Sequence, residues 1–251
     1  MPNNKLSCKV RLVIGALIFV AISSIVLNVI LFNRAKQYYI DLNGERLDPL
    51  RLSVFSQELP RVPDKIRAVF YGDSRAARWP APALDDRFDF VNRGIEGQTT
   101  EQVLLGLEYH LVPVHPQIVI LQVGVNDLKT IPLFPDRKAA IIADCKENIR
   151  QIIQRSTELG AMVIVSTIFP VGNPPVERQP FWSADISAAI EEVNQYIHSL
   201  SQAKVIVFDV DSILADGGQL KPKYALDELH LNEQGYQSLN EELTRIWLGI
   251  N

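Results

Sequence analysis

Two kinds of apolar pattern run along this chain. Residues 12–32 (LVIGALIFVAISSIVLNVILF) carry no charge, and one helix of that length crosses a hydrocarbon core of about 30 Å. Further on the runs are short. Those at 66–71 (IRAVFY), 88–91, 118–123, 162–168 and 205–208 predict β-strands. Between them, helical periodicity covers 99–111, 137–159 with Gly160 closing it, 184–200, and 233–248 with Gly249 closing it. Strands that are apolar throughout, rather than alternating, are buried on both faces, and the intervening helices supply that cover. The expected fold is therefore α/β, a doubly wound parallel sheet of five strands preceded by one transmembrane helix. The ligand site of such a sheet lies outside the carboxyl ends of its strands.

The first pattern divides the chain further. A cleaved signal sequence has a shorter apolar stretch and a small-x-small site, whereas here apolar residues continue to Phe32 before Asn33 and Arg34, so the reading is an uncleaved anchor. Cys8 precedes the run, which argues against a lipoprotein site. Lys5, Lys9 and Arg11 lie before the span and Arg34 and Lys36 after it, a near balance. Large domains translocate regardless of charge while short basic tails stay inside, so the folded part is expected on the extracytoplasmic side. The expected organisation is a basic cytoplasmic tail at 1–11, the span at 12–33, a stalk at 34–65 with Asn43-Gly44 as a turn, and the α/β domain at 66–251.

Composition narrows the partners. In 251 residues the net charge is −4, so there is no basic field to hold nucleic acid. Neither G-x-G-x-x-G nor a Walker loop occurs, and no nucleotide cofactor is implied. The two cysteines, Cys8 and Cys145, fall on opposite sides of the apolar run, and no disulfide is expected. Asp209 and Asp211 end the fifth strand and read as loop-fixing residues, so no metal is implied. His110, His115 and His198 have no catalytic setting.

The polar motifs fall after the strands. Gly72-Asp73-Ser74 follows the first, Asn92 to Thr100 (NRGIEGQTT) the second, and Gly124-Val125-Asn126-Asp127 the third. Near the carboxyl end, Asp227 stands three residues before His230, a spacing that lets a carboxylate hold one ring nitrogen while the other faces a hydroxyl. Each piece alone is ordinary; Gly-Asp-Ser is a common turn sequence. Together they supply what acyl transfer needs: a nucleophile, its base, a carboxylate to hold the base, and neutral donors for an oxyanion.

The order of these blocks, with Ile168-Phe169-Pro170 after the fourth strand and DELHLNEQGY leading into the last helix, resembles the SGNH hydrolases, also called GDSL-type esterases and lipases. The resemblance runs from about residue 66 to the end. It implies a flavodoxin-like sandwich, with Ser74 as nucleophile, His230 as base and Asp227 as third triad member. The implied oxyanion hole is the Ser74 amide, the Gly97 amide and the Asn126 side chain, with Gly94 as the alternative to Gly97. No cofactor is implied. The G-x-S-x-G elbow of the α/β-hydrolases is absent.

One departure concerns the residue after the serine, often small or aliphatic in the family and here Arg75. Arg75 and Arg93 are expected to converge at the site as a basic, substrate-binding rim for an anionic ester, unless Asp85, Asp86, Glu96 or Asp127 pairs with them. The expected activity is hydrolysis of a carboxylic ester, acyl or acetyl, on a small molecule, lipid or glycan. The alternatives are a cell-envelope glycan O-acyltransferase using the same acyl-enzyme, and a silent membrane-anchored binding domain.

Overall fold

The computed structural model describes residues 7–55, 59–83 and 86–249. They form two compact units, Met1–Pro49 and Leu50–Asn251.

The first unit is one helix, α1 (Cys8–Leu47), capped by Ser7, whose hydroxyl accepts from the Val10 amide. None of it is buried, and its apolar stretch is long enough to cross a membrane by length and composition. The helix continues beyond the apolar run, so the turn expected at Asn43-Gly44 lies inside it. Asn43 Nδ2 donates to the Tyr39 carbonyl at 2.7 Å, one turn back, which satisfies the amide without breaking the helix.

The second unit holds five parallel strands in the order β2-β1-β3-β4-β5: β1 (Ile66–Gly72), β2 (Phe88–Gly94), β3 (Ile118–Gln122), β4 (Met162–Ser166) and β5 (Val205–Phe208). Successive residues of β1 point to opposite faces, and both faces are buried. Val69 and Tyr71 join a core with Leu107, Ile149 and Val193 from α3 (Thr100–His110), α5 (Lys138–Glu158) and α6 (Ala184–His198). In this numbering α2 (Ser74–Ala77) and α4 (Val125–Leu128) are single turns. Ala68 and Phe70 face the other core, with Trp79 and with Leu239, Leu243 and Trp247. Those three lie on α8 (Glu233–Leu248), and α7 is the short turn Asp211–Leu214. A small hairpin, β6 (Ala215–Asp216) with β7 (Gln219–Leu220), was not foreseen; its turn is Gly217-Gly218, both at positive φ.

The stalk expected at 34–65 is not uniform. Its first part belongs to α1, whereas the part from Leu50 belongs to the α/β unit. Buried Arg67 donates to the carbonyls of Leu59 and Pro60 as well as pairing with Asp89, and these bonds pin the segment along the amino-terminal edge of the sheet.

Candidate active site

The ends of β1, β2 and β3 are level: Gly72 stands opposite both Gly94 and Gln122. The three loops that carry the polar motifs therefore leave the sheet side by side. Gly72 has φ 139°, and a Cβ there would lie 1.7 Å from the Gln122 carbonyl oxygen, so only glycine permits the turn. Asp73 then caps α2, its Oδ1 accepting from the Arg75 amide at 2.8 Å, and Ser74 occupies the first helical position.

Ser74, His230 and Asp227 come together here. His230 Nε2 lies 3.0 Å from Ser74 Oγ, and Nδ1 lies 2.8 Å from Asp227 Oδ2. Asp227 Oδ1 also accepts from the backbone amides of Leu229 and His230 at 2.8 and 2.7 Å, so the turn positions the carboxylate before the imidazole meets it. Burial alone would raise the Asp227 pKa, but the bonds from His230 and the two amides outweigh it and hold the carboxyl below its ordinary range. The imidazole is thus oriented by an ionised acceptor, with Nε2 facing the Ser74 hydroxyl.

Asn126 is buried, and its Nδ2 donates to the Gln98 carbonyl at 2.9 Å, which sets it beside the loop containing Gly97. Gly97 has φ 80°, outside the range of ordinary residues, and lets this loop reverse before Thr99 caps α3. Asp127 fastens the two loops: its carboxylate accepts from the Thr100 amide at 2.9 Å and hydroxyl at 2.6 Å. Burial pushes its pKa up to about 6 in spite of these bonds.

The sequence and the fold both have counterparts among known proteins. Residues 62–238 match the GDSL-like Lipase/Acylhydrolase family. The chain belongs to this family. No curated protein matches the chain in sequence. Solved structures do. A protein from Streptococcus pneumonia described as a candidate platelet activating factor is 25% identical, with a TM-score of 0.65 over 85% of this chain and 96% of its own. A GDSL-like lipase from Bacteroides thetaiotaomicron VPI-5482 is 18% identical, at 0.59 over 80% and 95%. An acetyl xylan esterase is 18% identical, at 0.57 over 74% and 100%.

Within this GDSL-type domain the two arginines do not form the expected rim. Arg75 is fully buried: Nε donates to the Leu229 carbonyl and Nη1 to that of Phe169, at 2.8 and 2.9 Å, and the guanidinium lies over the Phe169 ring. Burial lowers its pKa to about 10 despite the nearby Asp73, Tyr236 and Asp227 charges or dipoles. It ties the serine turn to the histidine loop instead of facing solvent. Arg93 is 2% exposed and stacks over the Phe55 ring at 4.5 Å. Of the acids expected near them, Glu96 pairs with Arg78 at 2.8 Å, Asp86 with Lys65 at 3.7 Å and Asp127 bonds Thr100, while Asp85 lies outside the described residues. His110 is buried, with Nε2 2.7 Å from the Leu50 carbonyl.

Sequence reading missed several residues at this edge. Lys129 Nζ donates to Asn126 Oδ1, buried Glu228 pairs with Arg178, and Tyr236 donates its hydroxyl proton to the Arg75 carbonyl. None of these was given a part by the sequence, although Lys129 stands three residues after Asn126, at the end of the same helical turn. A cavity of about 930 Å3 lies between α6 and the β6–β7 turn, lined by residues such as Trp182, Glu191, His198 and Asp211. Ser74, His230 and Asp227 are not among its lining residues.

Proposed function

We propose that this domain is a serine esterase that hydrolyses carboxylic esters through an acyl-enzyme on Ser74. The observation that carries this reading is the 3.0 Å contact of His230 Nε2 with Ser74 Oγ, made across 156 residues while Nδ1 is held by Asp227. Such a contact is the first requirement of a base that must take a hydroxyl proton.

In the proposed reaction Ser74 Oγ attacks the ester carbonyl as His230 Nε2 accepts its proton. The developing oxyanion receives hydrogen bonds from the backbone amides of Ser74 and Gly97 and from Asn126 Nδ2. The imidazolium, steadied by Asp227, protonates the leaving alcohol as the intermediate collapses. Water deprotonated by His230 then attacks the acyl group, and Ser74 leaves with the proton. Each role follows from chemistry: the hydroxyl is a weak nucleophile until an adjacent base activates it, and neutral donors stabilise charge that exists only in the transition state.

The substrate is an acyl or acetyl ester, and the fold shared with an acetyl xylan esterase and a GDSL-like lipase supports a glycan or a lipid as its alcohol portion. The apolar stretch of α1 supports tethering to a membrane, and a short basic flank before the span with a large folded domain after it supports placing that domain on the outer side. Hydrolysis of p-nitrophenyl acetate by the full chain in detergent tests the reading. Parent activity is expected, and Ser74→Ala should lower it by at least about 10³, as loss of a triad nucleophile does. Activity of that variant within tenfold of the parent would end the assignment. Fractionation with membranes, and cleavage by protease added outside, test the anchor and its orientation.

A further inference from the structure

The carboxamide of Asn126 is held at both ends. Nδ2 donates to the Gln98 carbonyl at 2.9 Å, and Oδ1 accepts from Lys129 Nζ at 2.5 Å. A carbonyl can only accept and an ammonium can only donate, so these partners determine which end of the amide is nitrogen. Turning the amide over would set donor against donor and acceptor against acceptor. Nδ2 carries two hydrogens, one of which is engaged by Gln98, leaving the other for a ligand.

Lys129 is the residue just beyond α4, and the helical turn returns its side chain to the face bearing Asn126. Lys129 is half-buried. Burial pushes its pKa down, Asp73 and Glu228 act against that shift, and Arg178 and Arg75 add to it. An ammonium kept in such a place is costly, and its short contact is to the amide oxygen. A positive charge on that oxygen also draws electrons from the amide nitrogen and strengthens the remaining N–H as a donor.

We propose that Lys129 is a positioning residue for ester hydrolysis: it locks the Asn126 carboxamide with Nδ2 toward the oxyanion and polarises that donor. This rests on the reading of Asn126 as an oxyanion donor. Because an oxyanion exists in the transition state and not in the bound ester, loss of Lys129 acts on turnover rather than on substrate binding.

The test uses the full chain in detergent with p-nitrophenyl acetate, and thermal unfolding to establish that each variant is folded. Lys129→Met is expected to lower kcat about 10- to 100-fold, less than the roughly 10²–10³ for Asn126→Ala, with KM changed less than about threefold. Lys129→Arg, which restores a cationic donor, should recover most of the loss. In the Asn126→Ala background the Met substitution should add less than about twofold, since the residue it acts through is gone. Unchanged kcat in Lys129→Met, a loss confined to KM, or losses that multiply in the double variant would overturn the proposal. Should Lys129→Met not fold, Lys129→Gln is judged by the same outcomes. Ser74→Ala separates the two levels: if it keeps activity the esterase reading fails, whereas if it is inactive and Lys129→Met is not impaired, only the positioning role fails.

Discussion

Arg75 and Asp227 serve the same edge of the sheet and are held in opposite ways. Arg75 is fully buried, and its side chain binds carbonyls 94 and 154 residues away. Asp227 has a side chain 43% exposed, and its partners are two and three residues away. One is a tertiary clamp and the other a local turn. Losing the clamp leaves two buried carbonyls without their donor and removes the positive charge that opposes the raised pKa of Asp73, so it acts on the whole fold. Losing the turn's charge leaves the backbone bonds available to a neutral oxygen and acts on the imidazole alone.

That contrast can be broken by experiment. The largest effect expected is on Asp227→Asn, where ester turnover should fall about 10²–10⁴-fold while the thermal midpoint hardly moves, because an amide oxygen still accepts from Leu229 and His230. A midpoint that drops with the activity would make Asp227 a structural residue. Arg75→Met should do the reverse: denaturant unfolding should show a loss of roughly 3–5 kcal/mol, the range for leaving buried polar partners uncompensated. A loss below about 1 kcal/mol would mean that the clamp is not needed.

A smaller effect separates the same regions by pH. Burial pushes Asp73 up to about 6, opposed by Arg75, and its Oδ2 is buried with no hydrogen-bond partner among the described residues. A folded pKa above the ordinary 3.8 means that the native state binds the proton more tightly. This contribution to stability is complete below pH 3.8 and is lost as pH rises through about 6. The stability of the parent relative to Asp73→Asn should therefore decline between about pH 4 and 6, read from paired unfolding curves. A constant difference across that window would show that Asp73 is charged throughout. Asp227 has the opposite sign; held low, it stays ionised through this window, and its contribution fades only as pH falls through its own lowered pKa.

The smallest effect belongs to the exposed pair Arg78 and Glu96, which meets through two bonds of 2.8 and 3.0 Å, close enough to Asp227 and His230 to feel their charge. Solvent screens such a pair, so Arg78→Ala should cost less than about 1 kcal/mol and leave turnover within a few-fold. A hundredfold loss of activity would instead give the pair a part in binding substrate.

What the sequence determined by itself was periodic or local. Five apolar runs and their intervening helical stretches specify a parallel sheet because strands buried on both faces have no polar alternation, and the parallel pairing of all five strands agrees. The Asp227 to His230 spacing was legible because their contact lies within one turn. Tertiary structure decided the rest. An arginine beside a serine reads as exposed charge until the fold supplies Leu229 and Phe169 carbonyls from distant loops. The same is true of Arg93, whose aromatic partner Phe55 comes from a segment that read as a stalk. Lys129 was silent because its meaning depends on which end of Asn126 faces it, and Gln98 fixes that end from another loop. Burial and partner chemistry are properties of chain segments brought together, so they cannot be read from either segment alone.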